Sequence, residues 1–312
     1  MPIDLAELSR AVDLLNDVFT IEPPYSVEGL CWYYEENPLG AAAVGRVDDG
    51  ETRTGNYALI PQTLRDAAGR EVVLGLGVDL AVASAARGAG TFRRTVQDTY
   101  ERGTAAGFDA ILGVANANSA PRMVQTLGWR PLPALPVTLL AASPRGARLQ
   151  HRRVDAALLD SAWFEAVAGS GFVRSLATTG AFEPVWSGEY LRWRLARPGR
   201  NYALHVGDDV VVVTATTTIR HVRFAVVLKV LARRPFSEPM GLGRVARSLM
   251  LYHRTPFVVH WGRNPFLAVR GVRLPQDKMP SPLALVLHGL QPSFDETAFV
   301  LGSFEFLDFD AY

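Results

Sequence analysis

The residues whose types and spacing point most directly to chemistry lie in the stretch Ser84–Arg94, SAARGAGTFRR. Gly88 and Gly90 flank Ala89 just after an apolar run. Phe92, Val96 and Tyr100 then recur at i, i+4 and i+8, the spacing of one helix face. Glycines let the backbone turn and let a ligand approach without a β-carbon in the way. The first amides of a helix lack internal partners and sit at the positive end of its dipole. A strand, a glycine turn and a helix in that order can therefore seat an anion, most often phosphate. Arg87 could add a charged contact. An ordinary strand-to-helix turn would read the same way. The stretch has no Gly-Lys-Ser/Thr ending, so it is not a P-loop. The third glycine of a dinucleotide fingerprint would fall on Arg93.

The elements needed to position this turn are legible around it. Leu5, Leu8, Val12, Leu15 and Val18 have helical spacing. AAAVGRV and TGNYALIP read as strands around a turn at DDGE. VVLGLGVDLAVAS reads as a buried strand with a bulge, because Gly75 and Gly77 interrupt it. FDAILGVAN is the next strand, and SAPRMVQTLGW a short helix closed by Gly128. Strands interleaved with helices continue to the end of the chain, which indicates an α/β or α+β protein.

The totals bound the architecture. The 312 residues suffice for two cores of about 150 residues each. A net charge of +1 gives no reason to expect nucleic acid or an anionic membrane as a partner. One cysteine, Cys31, excludes an intrachain disulfide, and no Cys/His cluster has zinc spacing. The N-terminus carries Asp4, Glu7 and Asp13 and no basic-then-apolar leader. The apolar runs are shorter than a membrane span, so a cytoplasmic location is expected.

An internal repeat divides the chain. CWYYEENPLGAAAVGRVDDG lies on RWRLARPGRNYALHVGDDV, with Trp32 on Trp193, Pro38 on Pro198 and Asp48-Asp49 on Asp208-Asp209. Further on, Gly88 and Gly90 lie on Gly241 and Gly243. The expected domains are 1–145 and 146–312, with a linker in the arginine-rich 143–155.

The order of elements, with LAVASAARGAGTF and GFDAILGVANANSAPRMVQTLGW, resembles the GNAT (GCN5-related N-acetyltransferase) superfamily over residues 55–135. Its central motif is Gln/Arg-x-x-Gly-x-Gly/Ala. Through the repeat, the whole chain resembles a tandem protein of that type. The resemblance implies a mixed, largely antiparallel central sheet flanked by helices in each half. It implies acetyl-CoA or another acyl-CoA as cosubstrate, no metal, and a small-molecule amine as acceptor. Backbone groups of Val82 and Ser84 would pair with the pantetheine arm. Arg87, Gly88, Ala89, Gly90 and Thr91 would hold the pyrophosphate, and Asn118 would lie beside the pantetheine.

The sequence departs from the pattern in three ways. Ala85 takes the first motif position, Val124 the place of a tyrosine that commonly protonates the leaving thiolate, and all six histidines lie beyond residue 150. Asp79 and Glu35 are the candidate bases, against the plain readings of a half-exposed strand aspartate and a solvated loop. In the second half, Glu238 at the first motif position would repel a pyrophosphate, so that copy reads as degenerate. It is left to shape the acceptor site or a dimer surface. His260 reads as a satisfied core histidine, and Asp308 and Asp310 as the solvated face of an edge strand. The expected function is acyl-CoA-dependent N-acyl transfer. A non-catalytic acyl-CoA-binding scaffold, or an enzyme fed by a carrier-protein thioester, fits the same residues.

Overall fold

The computed structural model describes residues 4–88, 90–117, 119–173, 180–275 and 283–309. Helices α1 (Leu5–Val18) and α2 (Val27–Tyr34) lead into the hairpins β1 (Ala43–Asp49), β2 (Thr52–Arg65) and β3 (Glu71–Val82). Helix α3 (Thr91–Ala105) then crosses to β4 (Ala110–Ala115), which runs parallel to β3. The predicted helix at the N-terminus forms because Asp4 caps it and Leu8, Ala11, Leu14 and Leu15 share its buried face. Helix α3 is seated differently. Its buried face carries Thr95 and Thr99, whose hydroxyls bond to the carbonyls of Thr91 and Thr95. A β-carbon on Gly55 or Gly45 would stand 2.1 or 2.0 Å from those hydroxyl oxygens. Glycines on β1 and β2 thus let this polar helix face lie directly on the sheet.

Past β4 the chain leaves the linear order. After β5 (Arg130–Pro131), β6 (Val137–Leu140) crosses into a second sheet. That sheet receives β7 (Gln150–Arg153), and two short helices follow, α4 (Ala156–Leu159) and α5 (Ala162–Ala168). Strand β8 (Ala181–Pro184) returns to the edge of the first sheet, and α6 (Gly188–Leu195) leads back to the second. There, β9 (Ala203–Val206), β10 (Val210–Ile219) and β11 (Val222–Ala232) form an antiparallel meander. Strand β12 (Met240–Gly241) precedes α7 (Gly243–His253) and β13 (Val258–Arg263), which lies parallel to β11. The last strands are β14 (Leu267–Ala268), β15 (Gly271–Arg273), β16 (Ala284–Gly289), β17 (Val300–Leu301) and β18 (Phe304–Glu305).

The two sheets read β17-β8-β2-β3-β4-β16-β5, with β1 on β2, and β15-β6-β13-β11-β10-β9-β7, with β18 on β13. Each repeats the same plan of an antiparallel meander, a crossover helix and a parallel strand. Each is extended by an antiparallel strand from the other half: β16 on β4, and β6 on β13. A division at 145/146 therefore separates most of the two sheets but not these exchanged strands. The repeat partners Trp32 and Trp193 meet each other where α2 crosses α6. Among the described residues, no helix is long and apolar enough to cross a membrane.

A chain of three imidazoles, His205 and His253 buried and His151 half-buried, ties α7 to the second sheet. His151 Nδ1 lies 2.6 Å from His205 Nδ1, and the Thr214 hydroxyl bridges His205 Nε2 (2.7 Å) and His253 Nε2 (2.8 Å). Burial depresses the basicity of all three rings, that of His253 to about 4. The folded protein holds them neutral, whereas the unfolded chain takes up their protons near pH 6.5. Stability is therefore full above that pH and declines as pH falls toward 4. Thermal melts should show a lower midpoint at pH 5 than at pH 7, with a smaller difference in His253→Asn.

Candidate active site

Parallel pairing of β3 with β4 runs from Leu74↔Ala110 to Gly77↔Gly113 and stops, although both strands continue. Beyond that vertex the strands part. The gap opens into a cleft of about 1200 Å³ lined by Gly77–Leu80 on one side and Gly113–Asn116 on the other. Here β3 presents a backbone edge on which no strand lies among the described residues, and which an extended ligand can fill by main-chain hydrogen bonds. Val82 pairs back with Gly55 on β2, and Ser84 opens the turn at the end of β3. The cleft thus runs along β3 toward the glycine turn.

The turn has the shape the sequence predicts. Gly88 (φ 86°) and Gly90 (φ 75°) are left-handed, a conformation that costs other residues about 1–2 kcal/mol. A β-carbon on either would meet nothing within 4 Å. Gly90 caps α3 without a side-chain hydrogen bond, so the first-turn amides remain available. Thr91 is buried, with Gly55 against its methyl group, and its hydroxyl accepts from Arg94 Nη2 (3.3 Å). Arg87, Arg93 and Arg94 are exposed around the turn. The residues fit a pyrophosphate. Ala89 and Asn118 lie outside the described residues. Beside Asn118, Asn116 and Ser119 bond to each other's backbone N–H, which closes the loop leading into the short helix that carries Met123.

Asp79 lies on the opposite side of the cleft from this loop. The strand does bulge, but at this residue and not at Gly75 or Gly77, which pair regularly: Asn56 pairs with Ala81 and Ala58 with Val78, so Tyr57 faces both Asp79 and Leu80. Asp79 takes φ 55°, which aspartate tolerates better than most residues. Its carboxylate accepts hydrogen bonds from Tyr25 Oη (2.9 Å) and Tyr34 Oη (2.8 Å). The Asn56 amide holds the Asp79 carbonyl (3.2 Å) and the Tyr34 oxygen (3.3 Å). Burial, and then the charge of Asp79, push the Tyr34 phenol well above its ordinary range, so it remains a donor. Glu35 sits at the C-cap of α2 and does not line the cleft. From sequence, Tyr34 reads as a packing residue rather than a pocket one, and Tyr25 and Tyr57 carry no signal. The second half also reaches the cleft, through Arg197–Arg200 and Thr216–Thr218.

The second sheet has the same parting of strands with different contents. Pairing of β11 with β13 ends at Val227↔His260. Residues Ser303–Phe309 enter the gap, with β18 paired to β13 at Gly262 and Arg263. The Glu305 carboxylate accepts from Asn264 Nδ2 (2.8 Å) and Val230 N–H (3.4 Å), and lies 2.9 Å from His260 Nε2. Lys229 Nζ lies 2.7 Å from Asp308 and 3.4 Å from Glu305. Burial opposes its charge, but the two carboxylates outweigh burial and raise its pKa. Asp308 is therefore not on a solvated face, as the alternation of the segment suggested. It is fully buried and also accepts from the Trp186 indole (2.9 Å). His260 is a satisfied core histidine, as expected. In the second glycine turn Gly241 is exposed, but Gly243 is covered: Ser143 N–H bonds to the Gly243 carbonyl, and a β-carbon on Gly243 would meet Ser143 Oγ at 2.6 Å.

Neither family models nor curated proteins match this sequence. Solved structures do match, over nearly its whole length. A GCN5-related N-acetyltransferase from Anabaena variabilis is 11% identical, with a TM-score of 0.60 over 93% of this chain and 72% of its own. One from Kribbella flavida is 14% identical, with a TM-score of 0.58 over 92% and 69%. Saccharomyces cerevisiae N-myristoyltransferase with bound myristoyl-CoA is 11% identical, with a TM-score of 0.50 over 92% and 81%. At such identities the likeness is one of fold. The chain has the GCN5-related N-acetyltransferase fold, in a tandem form whose two sheets exchange strands.

Two outcomes follow from this geometry. Gly88→Asp and Gly90→Asp each have room for the side chain but place a carboxylate at the anion cradle. Each should cost about 1–2 kcal/mol of stability for the left-handed backbone and weaken coenzyme A binding by more than about tenfold, read by calorimetry. Lys229→Met removes the ammonium group shared by two buried carboxylates and should cost about 3–5 kcal/mol in denaturant unfolding.

Proposed function

We propose that this protein transfers an acyl group from acyl-CoA, acetyl-CoA in the first instance, to the amine of a small molecule. The observation that carries the reading is the open strand vertex between the glycine cradle and the Asp79 carboxylate. The first-turn amides of α3, with Arg87, Gly88 and Gly90, hold the pyrophosphate. Val82, Ser84 and the free edge of β3 align the pantetheine arm, which brings the thioester to the vertex. Asp79, fixed by the phenols of Tyr25 and Tyr34, accepts the proton the amine loses as it attacks. Backbone N–H groups at the bulge polarise the thioester carbonyl. Residues 1–145 supply these groups. Arg197–Arg200 and Thr216–Thr218 of the second half shape the acceptor end. A carboxylate oriented by two donors inside the cleft favours catalysis over a passive scaffold.

The test is steady-state thiol release from acetyl-CoA with a panel of primary amines. Asp79→Asn should lower turnover by about 10²–10⁴-fold while leaving acetyl-CoA affinity nearly unchanged. Wild-type turnover that survives this substitution at every pH would remove Asp79 as the base.

A further inference from the structure

One buried polar group lining the cleft has no partner. Tyr57 is 1% exposed, and its hydroxyl makes no hydrogen bond to any described residue. A buried hydroxyl left unsatisfied costs about 1–3 kcal/mol, so its position points to a ligand atom. Tyr57 stands on β2 opposite the bulge, in the apolar cluster that holds Val96 of α3, Met123 and Trp129. That is the α3 side of the sheet. The carboxylate of Asp79 meets Tyr34 of α2, on the other side. The Tyr57 hydroxyl reaches over β3 at Gly77, where a β-carbon would stand 2.2 Å from it. Gly77 is the last residue of β3 paired with β4. The hydroxyl therefore lies at the vertex itself, beside Met123, and both residues line the cleft. Val124, on the helix that follows β4, offers no proton there.

We propose that Tyr57 protonates the sulfur that leaves when the thioester is cleaved. The proposal rests on the acyl-transfer reading above. The amine nitrogen bonds to the carbonyl carbon, the C–S bond breaks, and its electron pair goes to sulfur. The phenol O–H proton passes to that sulfur, giving a neutral thiol. The amine's proton goes to Asp79 and on to water, and the phenoxide regains a proton from water as the thiol departs. The sum is amine plus thioester to amide plus thiol. An alkyl thiol has a pKa of about 8.5, so protonation assists its departure at neutral pH. Burial raises the phenol's own pKa, which keeps the proton in place until charge develops beside it. Tyr57 thus supplies from β2 the proton that Val124 cannot supply.

The experiment compares the wild type with Tyr57→Phe, which removes one oxygen and no hydrogen bond. The variant should melt at or above the wild-type temperature. Its turnover with acetyl-CoA should fall by about 10²-fold or more. With the S-acetyl ester of a nitrothiophenol, whose thiolate leaves without a proton, its rate should stay close to wild type. In calorimetry the wild type should bind coenzyme A more tightly than desulfo-coenzyme A, and Tyr57→Phe should remove that preference. Equal losses with both donors, or no loss with either, would overturn the proposal. So would an unchanged preference for the sulfur-bearing coenzyme. If the wild type releases no thiol with any amine, the transferase reading fails, and the calorimetric comparison alone then decides whether Tyr57 meets the sulfur.

Discussion

The indole N–H of Trp32 donates to the carbonyl of Trp193 (2.8 Å), and that of Trp193 donates to the carbonyl of Trp32 (2.9 Å). The rings stack with centroids 5.0 Å apart. These residues are partners in the internal repeat, so the contact lies on the approximate two-fold relation between the halves. Each bond contributes about 1 kcal/mol and the ring pair a comparable amount. Their larger effect is geometric. They fix α2 against α6, and the two halves are further joined by exchanged strands. Strand β16 completes the first sheet beside β4, and β6 completes the second beside β13. Neither sheet is complete within one half of the chain.

Among the described residues, the two vertices related by this symmetry differ in what occupies them. Both sheets part their parallel strands after a few residues. In the first, the vertex is flanked by Gly77 and Gly113, and the space beyond it stays accessible. In the second, the chain's own residues Ser303–Phe309 enter the gap, and Glu305 and Asp308 bury their charges against Lys229. A buried ion cluster of this kind is costly to open once one partner is removed, so the second gap is committed to holding the molecule together. Its segment ends at Phe309, which lines the first cleft. The filled vertex thus borders the open one.

The sequence made the local part of this site legible. Gly88, Gly90 and the helix after them are recognisable because cradle, cap and apolar spacing lie within a few residues of each other. Asp79 could be named because it stands on the strand entering that motif. The residues that give Asp79 its orientation could not be read, because Tyr25 and Tyr34 reach it only through the packing of α2 on the sheet. Tyr57 was hidden for a related reason: its significance depends on missing side chains at Gly77, on a neighbouring strand. The alternation of SFEFLDF fits an edge strand and an internal plug equally well, so Asp308 was placed on the wrong side. Likewise, 137–140 and 284–289 carry ordinary strand patterns, with nothing to indicate that each belongs to the other half's sheet.

If the open cleft is the acyl-CoA site proposed above, the chain holds one such site and one vertex that it fills with itself. The most direct measurement is native mass spectrometry of the purified protein titrated with acetyl-CoA. The account predicts saturation at one acetyl-CoA per chain. Saturation at two per chain, or no binding at all, would contradict it.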